Sequence, residues 1–240
     1  MNRGIDRADV FRCDADRRDF IRVLGRNCQA SGVEVHAWCL MPNHYHLLVR
    51  DPDHAISELM GLVGTTYVRH HNDRHGRDGP LFRGRFHSVP VRDHDYIQWL
   101  GRYIHRNPLA LGTTPLPDYP WSSLPDYLGH RVPAGWVCTS RLLGYHGGSV
   151  RHFAAFTLDD SPELRLSDQS ATAAIAVLAE QHAMRTNSSQ RGIRGAIATL
   201  IDPTPPTTAA ERKARERALA RRASDPELAH IVDTLGRLTT

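Results

Sequence analysis

The chain has 240 residues, 40% hydrophobic and 23% charged, the balance of one folded domain, or of a domain with a smaller helical module, rather than of a disordered chain. No apolar run approaches the roughly 18 residues of a membrane span, and Met1–Asp6 lacks the apolar stretch of a signal peptide, so a cytoplasmic protein is expected and a membrane or secreted one is not. The net charge of +4 is matched by residues 67–106 alone, which hold eight Arg against four Asp and six of the 15 His. The four cysteines, Cys13, Cys28, Cys39 and Cys138, form no C-x-x-C pair. They are expected as reduced thiols packed like small apolar side chains, not as ligands.

In chain order, Asp14–Ala30 carries Phe20, Ile21, Val23 and Leu24 at helical spacing, with Asp14 as the expected N-cap and Ser31-Gly32 as the stop. Val33–Leu40 and His44–Val49 are rich in strand formers around Met41-Pro42-Asn43, which predicts a hairpin. Asp53–Arg74 reads as a helix, Gly76–Gly84 as a Gly/Arg loop, and Arg85–Val91 alternates like a strand. Asp93 is placed to cap a helix that ends at Asn107 because Pro108 follows. The result is α-β-β-α-β-α. With a strand in front it becomes the β-α-β-β-α-β unit of a ferredoxin-like sandwich. The predicted class is therefore α+β: an antiparallel sheet with helices on one face and a truncated first strand, followed by an α-helical C-terminal region. Thr113–Gly148 is rich in Pro and Gly, with Trp121 and Trp136 as anchors. Beyond it, Ala171–Met184, Gln190–Ile201, Ala209–Ala223 and Pro226–Leu238 read as helices. The first two admit a helix-turn-helix reading over 172–201, against plain helical packing. The domain boundary is placed at 158/159.

The chemistry begins at His44-Tyr45-His46. A strand has a side-chain period of two, so both imidazoles project from one face, about 7 Å apart at Cβ, where they can hold a divalent metal. With 15 His in 240 residues, about one H-x-H pair arises by chance, so the surroundings must decide. Tyr103 and Asn107 stand at i and i+4 of one predicted helix and share a face. Tyr67, with His71 at i+4, is a second tyrosine in a similar setting, otherwise read as a partly exposed helix residue. Histidines 70, 71, 75 and 87 are expected on the surface or facing a nucleic acid. The basic window, with Phe82 and other aromatics interleaved, reads as a nucleic-acid face. Arg83 and Arg85 are its expected phosphate contacts, the other reading being ion pairs to Asp78 or Asp93. No H-E-x-x-H is present, which disfavours a zinc hydrolase.

Met41-Pro-Asn-His-Tyr-His-Leu-Leu-Val49 resembles the L-M-P-N-H-x-H-L-L core of the single-tyrosine HUH (IS200-like) transposases, in the branch of REP-associated tyrosine transposases. Further segments resemble the family in the same order: Asn2-Arg-Gly4, Phe11–Phe20, Gly79-Pro-Leu-Phe-Arg-Gly-Arg-Phe86, Tyr103-Ile-His-Arg-Asn-Pro108 and Tyr119-Pro-Trp-Ser-Ser123. The resemblance covers residues 1–158. It implies Tyr103 as nucleophile and His44, His46 and Asn107 as ligands of Mg²⁺ or Mn²⁺. It also implies DNA contacts from Arg83, Arg85, Phe82 and Arg102, and help to the phenol from His105 or Arg102. The implied reaction is nicking and rejoining of single-stranded, hairpin-forming DNA through a 5′-phosphotyrosine, by a homodimer with one nucleophile per chain. The alternative is a domesticated or inactive protein that binds DNA or RNA hairpins without cleavage. Family members begin with a longer first strand, so a start upstream of Met1 is expected.

Overall fold

The computed structural model describes residues 1–91, 94–159, 196, 206–225, 228, 229 and 232. The chain divides into two compact units, Met1–Ser88 with Gln98–Asp160 and Val89–Ile97 with Ser161–Thr240. The first unit is α+β. Strand β1 (Asn2–Arg3), helix α1 (Asp14–Ser31), strands β2 (Glu34–Met41) and β3 (His44–Arg50) and helix α2 (Ile56–His75) follow in order, and the sheet order is β1-β3-β2, all antiparallel. The hairpin forms where expected, with Met41 paired to His44 across Pro42-Asn43.

The N-cap of helix α1 lies one residue before the expected one. Cys13 is the N-cap, and Asp16 reaches back to the backbone N–H of Arg12 (2.9 Å) and of Cys13 (3.2 Å). The helix ends at Gly32, whose φ of 70° closes the turn in the left-handed region that favours glycine. Helix α2 starts at Ile56 rather than Asp53, because the Asp51 carboxylate accepts from the N–H groups of Ala55 (2.8 Å) and Ile56 (3.0 Å), a side-chain cap lying outside the helix.

The two helices are joined by buried carboxylates. Asp16 accepts from Arg74 (2.7 Å) and His75 (2.9 Å), and Asp19 from His70 (2.9 Å) and Arg22. Burial alone would raise both pKa values, but the hydrogen bonds from His75 and Arg74 to Asp16 and from Arg22 and His70 to Asp19 hold them below the usual carboxylate range. Between helices and sheet lies an aromatic core in which Phe20 meets Tyr45 at 4.7 Å, Tyr67 at 5.2 Å and Phe11 at 5.3 Å between ring centroids.

Residues 85–91 do not form the expected strand. The preceding stretch still runs beside β1: Arg83 N–H donates to Arg3 O (2.9 Å), His87 N–H to Met1 O (2.8 Å), and the Met1 amino group to His87 O (2.7 Å). A two-residue β1 offers too short a template for a regular ladder, and Pro90 has no N–H to extend one. Gly4, just after β1, carries a close approach: a Cβ there would meet Ala8 O at 2.1 Å.

The outer edge of β2 is covered by the Tyr119–Ser123 segment. Leu40 N–H donates to Trp121 O (2.8 Å), Ser123 N–H to Trp38 O (2.9 Å), and the Tyr119 hydroxyl to Leu40 O (2.7 Å), so that edge is not left open to another chain. Trp136 packs beside Trp38 at 6.2 Å and over Gly25, where a Cβ would meet its indole nitrogen at 2.5 Å. Helix α3 (His94–Arg106) ends one residue early and passes into a 3-10 turn, Asn107–Leu111, with Pro108 in its first turn; the expected cap Asp93 lies outside the described residues. Short helices α4 (Leu124–Tyr127), α5 (Ser140–Gly144) and α6 (Val150–Leu158) complete the unit.

In the second unit, α7 (Ala209–Ser224) is capped by Thr208 and Glu211, each accepting the other's backbone N–H. Of its Arg side chains, Arg212 and Arg217 are exposed and Arg215, Arg221 and Arg222 half-buried. The helices expected over 171–201 and 226–238 lie almost wholly outside the described residues, as does the helix-turn-helix reading. No helix among the described residues is long and apolar enough to cross a membrane.

Two outcomes are expected. Gly4→Ala should cost about 1–3 kcal/mol, because the added methyl meets backbone, whereas Gly61→Ala on α2, where a Cβ meets nothing within 4 Å, should be neutral or gain up to about 1 kcal/mol; urea unfolding of the pair checks this. The second concerns His105, fully buried and pushed down to about 3 by desolvation. An unfolded His titrates near 6.5, so the unfolded chain takes up this proton first as pH falls. The stability is fully present above about 6.5 and declines below it, until the folded form itself protonates near 3. Between pH 7.5 and 5 this one group accounts for about 2 kcal/mol, and His105→Gln should reduce the measured fall by that amount.

Candidate active site

Strand β3 sets the first half of the site. Tyr45 points into the aromatic core, so His44 and His46 take the opposite face. They are 5% and 2% exposed, with ring centroids 5.0 Å apart and planes perpendicular. His44 Nδ1 lies 2.7 Å from Asn43 Oδ1. An amide oxygen only accepts, so the proton sits on Nδ1 and the lone pair on Nε2, the arrangement of an imidazole prepared as a ligand.

Helix α3 supplies the second half, on that same face. The Tyr103 ring stands edge-on to His46 with centroids 5.8 Å apart and is stacked on Trp99 at 6.2 Å and 16°. One turn on, buried Asn107 donates from Nδ2 to the Tyr103 carbonyl oxygen (3.1 Å), which leaves the amide oxygen as its ligand-type atom. Segments more than fifty residues apart in sequence thus bring the imidazole of His46, beside that of His44, against the Tyr103 phenol ring, with Asn107 one turn further along the chain. The nitrogen and oxygen donors, without sulfur, suit a divalent ion such as Mg²⁺ or Mn²⁺.

Tyr67 is elsewhere. It is fully buried, its hydroxyl donates to Val10 O, and desolvation pushes its pKa upward. It is a core residue rather than a partly exposed one. Its i+4 neighbour His71 is also fully buried, pushed down to about 4 by desolvation, and so is not on the surface as expected. His70 and His75 bind Asp19 and Asp16.

Arg83 and Arg85 are exposed, and no ion pair among the described residues joins either to Asp78. Phe82 is half-buried, its ring 6.0 Å from Tyr45 and 6.3 Å from Tyr67, turned to the core. Arg102 is 8% exposed and donates from Nε to Phe156 O (2.9 Å) and from Nη2 to Asp159 O. His105 bonds Ser123 Oγ (2.8 Å) between Tyr127 and Phe153, on the helix face that packs inward. Sequence spacing carries no sign of these engagements, because the partners of Arg102 and His105 come from residues 123–159.

Neither the curated proteins nor the solved structures compared with the chain include a significant match. Residues 1–107 do match a family model, that of the family described as "Transposase IS200 like", and the match spans both histidines, Tyr103 and Asn107. Over these residues, less than half of the chain, the sequence is similar to the IS200-like transposases, and that similarity supports a transposase function in the general sense.

Proposed function

We propose that the protein nicks and rejoins single-stranded DNA, with Tyr103 as the nucleophile. The observation that carries this reading is the contact of the Tyr103 ring with His46 on a face that also bears His44, with Asn107 in the 3-10 turn that follows the helix bonded back to the Tyr103 carbonyl. Asn107 and the two histidines would hold Mg²⁺ or Mn²⁺, which when bound supplies Lewis-acid stabilisation of the negative charge on the phosphate. The Tyr103 phenol oxygen attacks the phosphorus and its proton passes to solvent or a base. The bond from phosphorus to the 3′ oxygen breaks, and that oxygen leaves as a 3′-OH. The 5′-phosphotyrosine so formed retains the ester energy, and a second 3′-OH reverses the step.

Trp99, stacked on Tyr103, restricts the ring, and the bond from Asn107 to the Tyr103 carbonyl ties the carboxamide to the backbone that bears the phenol. Arg83 and Arg85, exposed on the loop beside β1, are the phosphate contacts in this reading. Arg102 and His105 are not assigned a chemical step, since Arg102 Nε and Nη2 serve backbone carbonyls and His105 is fully buried with Nε2 on Ser123; Phe82 belongs to the core. The DNA is proposed to be hairpin-forming, and two chains to act together, because each carries one nucleophile for a reaction at two ends.

Tyr103→Phe is expected to abolish the covalent adduct with a single-stranded hairpin oligonucleotide, and His44→Ala to abolish nicking, with non-covalent binding retained in both. An adduct on the Phe variant would remove Tyr103 as nucleophile, normal nicking by the Ala variant with Mn²⁺ would remove the metal site, and binding without any adduct in the unaltered protein would favour a binding protein. Replacing Arg83 and Arg85 together by Ala is expected to flatten the dependence of affinity on salt by roughly 1–2 units of log K per log salt. An unchanged slope in a binding titration would show that these arginines do not face DNA.

A further inference from the structure

On the edge of β2, the register shifts between Val35 and Ala37, and His36 is the extra residue of this bulge. Bulges re-aim side chains. The imidazole of His36 is 3% exposed, with Nδ1 3.1 Å from Cys138 O. A carbonyl oxygen only accepts, so the proton is on Nδ1 and Nε2 carries the lone pair. Among the described residues Nε2 has no hydrogen-bond partner; it stands 3.7 Å from Glu34 Oε2, too far for a hydrogen bond.

Cys138 arrives from the other side. Val137 bridges Val35 in parallel register, and Cys138 N–H donates to Val35 O (2.8 Å), so the segment lies along the sheet edge. The ligand atoms of Glu34, His36 and Cys138 lie within 4.8 Å of one another. Donors around a tetrahedral Zn²⁺ are about 3.4–3.7 Å apart, from bond lengths near 2.0–2.3 Å, so the Glu34–His36 pair already has this spacing and the third donor closes by about 1 Å at most.

We propose that Glu34, His36 and Cys138 bind a thiophilic divalent cation, with Zn²⁺ the fitting ion, and that the bound ion clamps the Val137–Cys138 segment to the edge of β2. Thiolate, imidazole and carboxylate form the soft and borderline set that selects zinc over magnesium; the His44, His46 and Asn107 set has no sulfur. Two anionic ligands balance the 2+ ion, which lets Arg50 keep Glu34 Oε1 at 3.0 Å. His36 has the outer hydrogen bond from Nδ1–H to a carbonyl that orients metal-binding imidazoles. Desolvation holds its pKa below the usual value, so the ring is neutral and ready to donate at neutral pH. Cys138 binds as thiolate, its proton released to solvent. Among the described residues a second grouping, Cys13, Asp16 and His75, is already engaged: both Asp16 oxygens are hydrogen-bonded, by His75, Arg74 and the backbone N–H groups of Arg12 and Cys13.

Co²⁺ is the spectroscopic probe, titrated into the metal-stripped full-length protein. A thiolate-to-cobalt charge-transfer band saturating at about one equivalent is expected. The band should persist in His44→Ala/His46→Ala and in Cys13→Ser, and be lost in Cys138→Ser. Zn²⁺ should raise the melting temperature of His44→Ala/His46→Ala, and not of that variant with Cys138→Ser added. Absence of the band from the unaltered protein, its survival in Cys138→Ser, or a zinc-induced melting shift that does not need Cys138 would each overturn the proposal. None of these readouts depends on DNA cleavage, so the site stands or falls apart from the nicking reaction.

Discussion

The packing of Tyr45 against Phe20 is the contact on which the remaining geometry rests. In a strand whose side chains alternate, burying one ring decides where its neighbours go. With Tyr45 in the aromatic core at 4.7 Å from Phe20, His44 and His46 have no choice but the opposite face. A slip of one residue would turn the histidines into the core and the tyrosine out. The hairpin pairing from Glu34–Arg50 to Met41–His44 and the β1 pairing at Asn2–Tyr45 hold that register from both sides. Loss of a core contact at Phe20 would therefore be felt at the imidazoles without any change to them.

Helices α1 and α2 add a different kind of restraint. Their carboxylate–cation bonds are buried at Asp16 and Asp19, and a buried charge missing its partner is costly. Sliding one helix along the other would strand a carboxylate, so the ion pairs select one alignment even where apolar packing would tolerate several. The same alignment fixes the floor beneath β3.

Much of this is legible in the residues. The hairpin, the shared face of His44 and His46 and the Tyr103–Asn107 spacing follow from local periodicity, which needs no knowledge of distant partners. What was not legible depends on contacts far along the chain. Tyr67 and Tyr103 look alike in their own windows, each with a polar residue four positions on. Only the placement of Val10 and Phe11 over α2 makes Tyr67 a core residue. Arg85–Val91 alternates like a strand, but a strand needs a neighbour of its own length, and β1 has two residues. Asp51 and Cys13 act as caps because of where their side chains reach. Cys138 reads as an apolar filler until the bulge at His36 brings an imidazole to it.

The hydrogen bond from Asn107 Nδ2 to the Tyr103 carbonyl ties a side chain to the backbone of the residue one turn before it. The carboxamide and the backbone that bears the phenol are consequently parts of a single lever: the 3-10 turn that carries Asn107 is tied to the last turn of α3, and the two move together. The distance from that lever to the two imidazoles is instead a property of packing, set by ring contacts at His46 and Trp99. Anything that seats α3 more closely on β3 would therefore carry the backbone of Tyr103 and of Asn107 forward together.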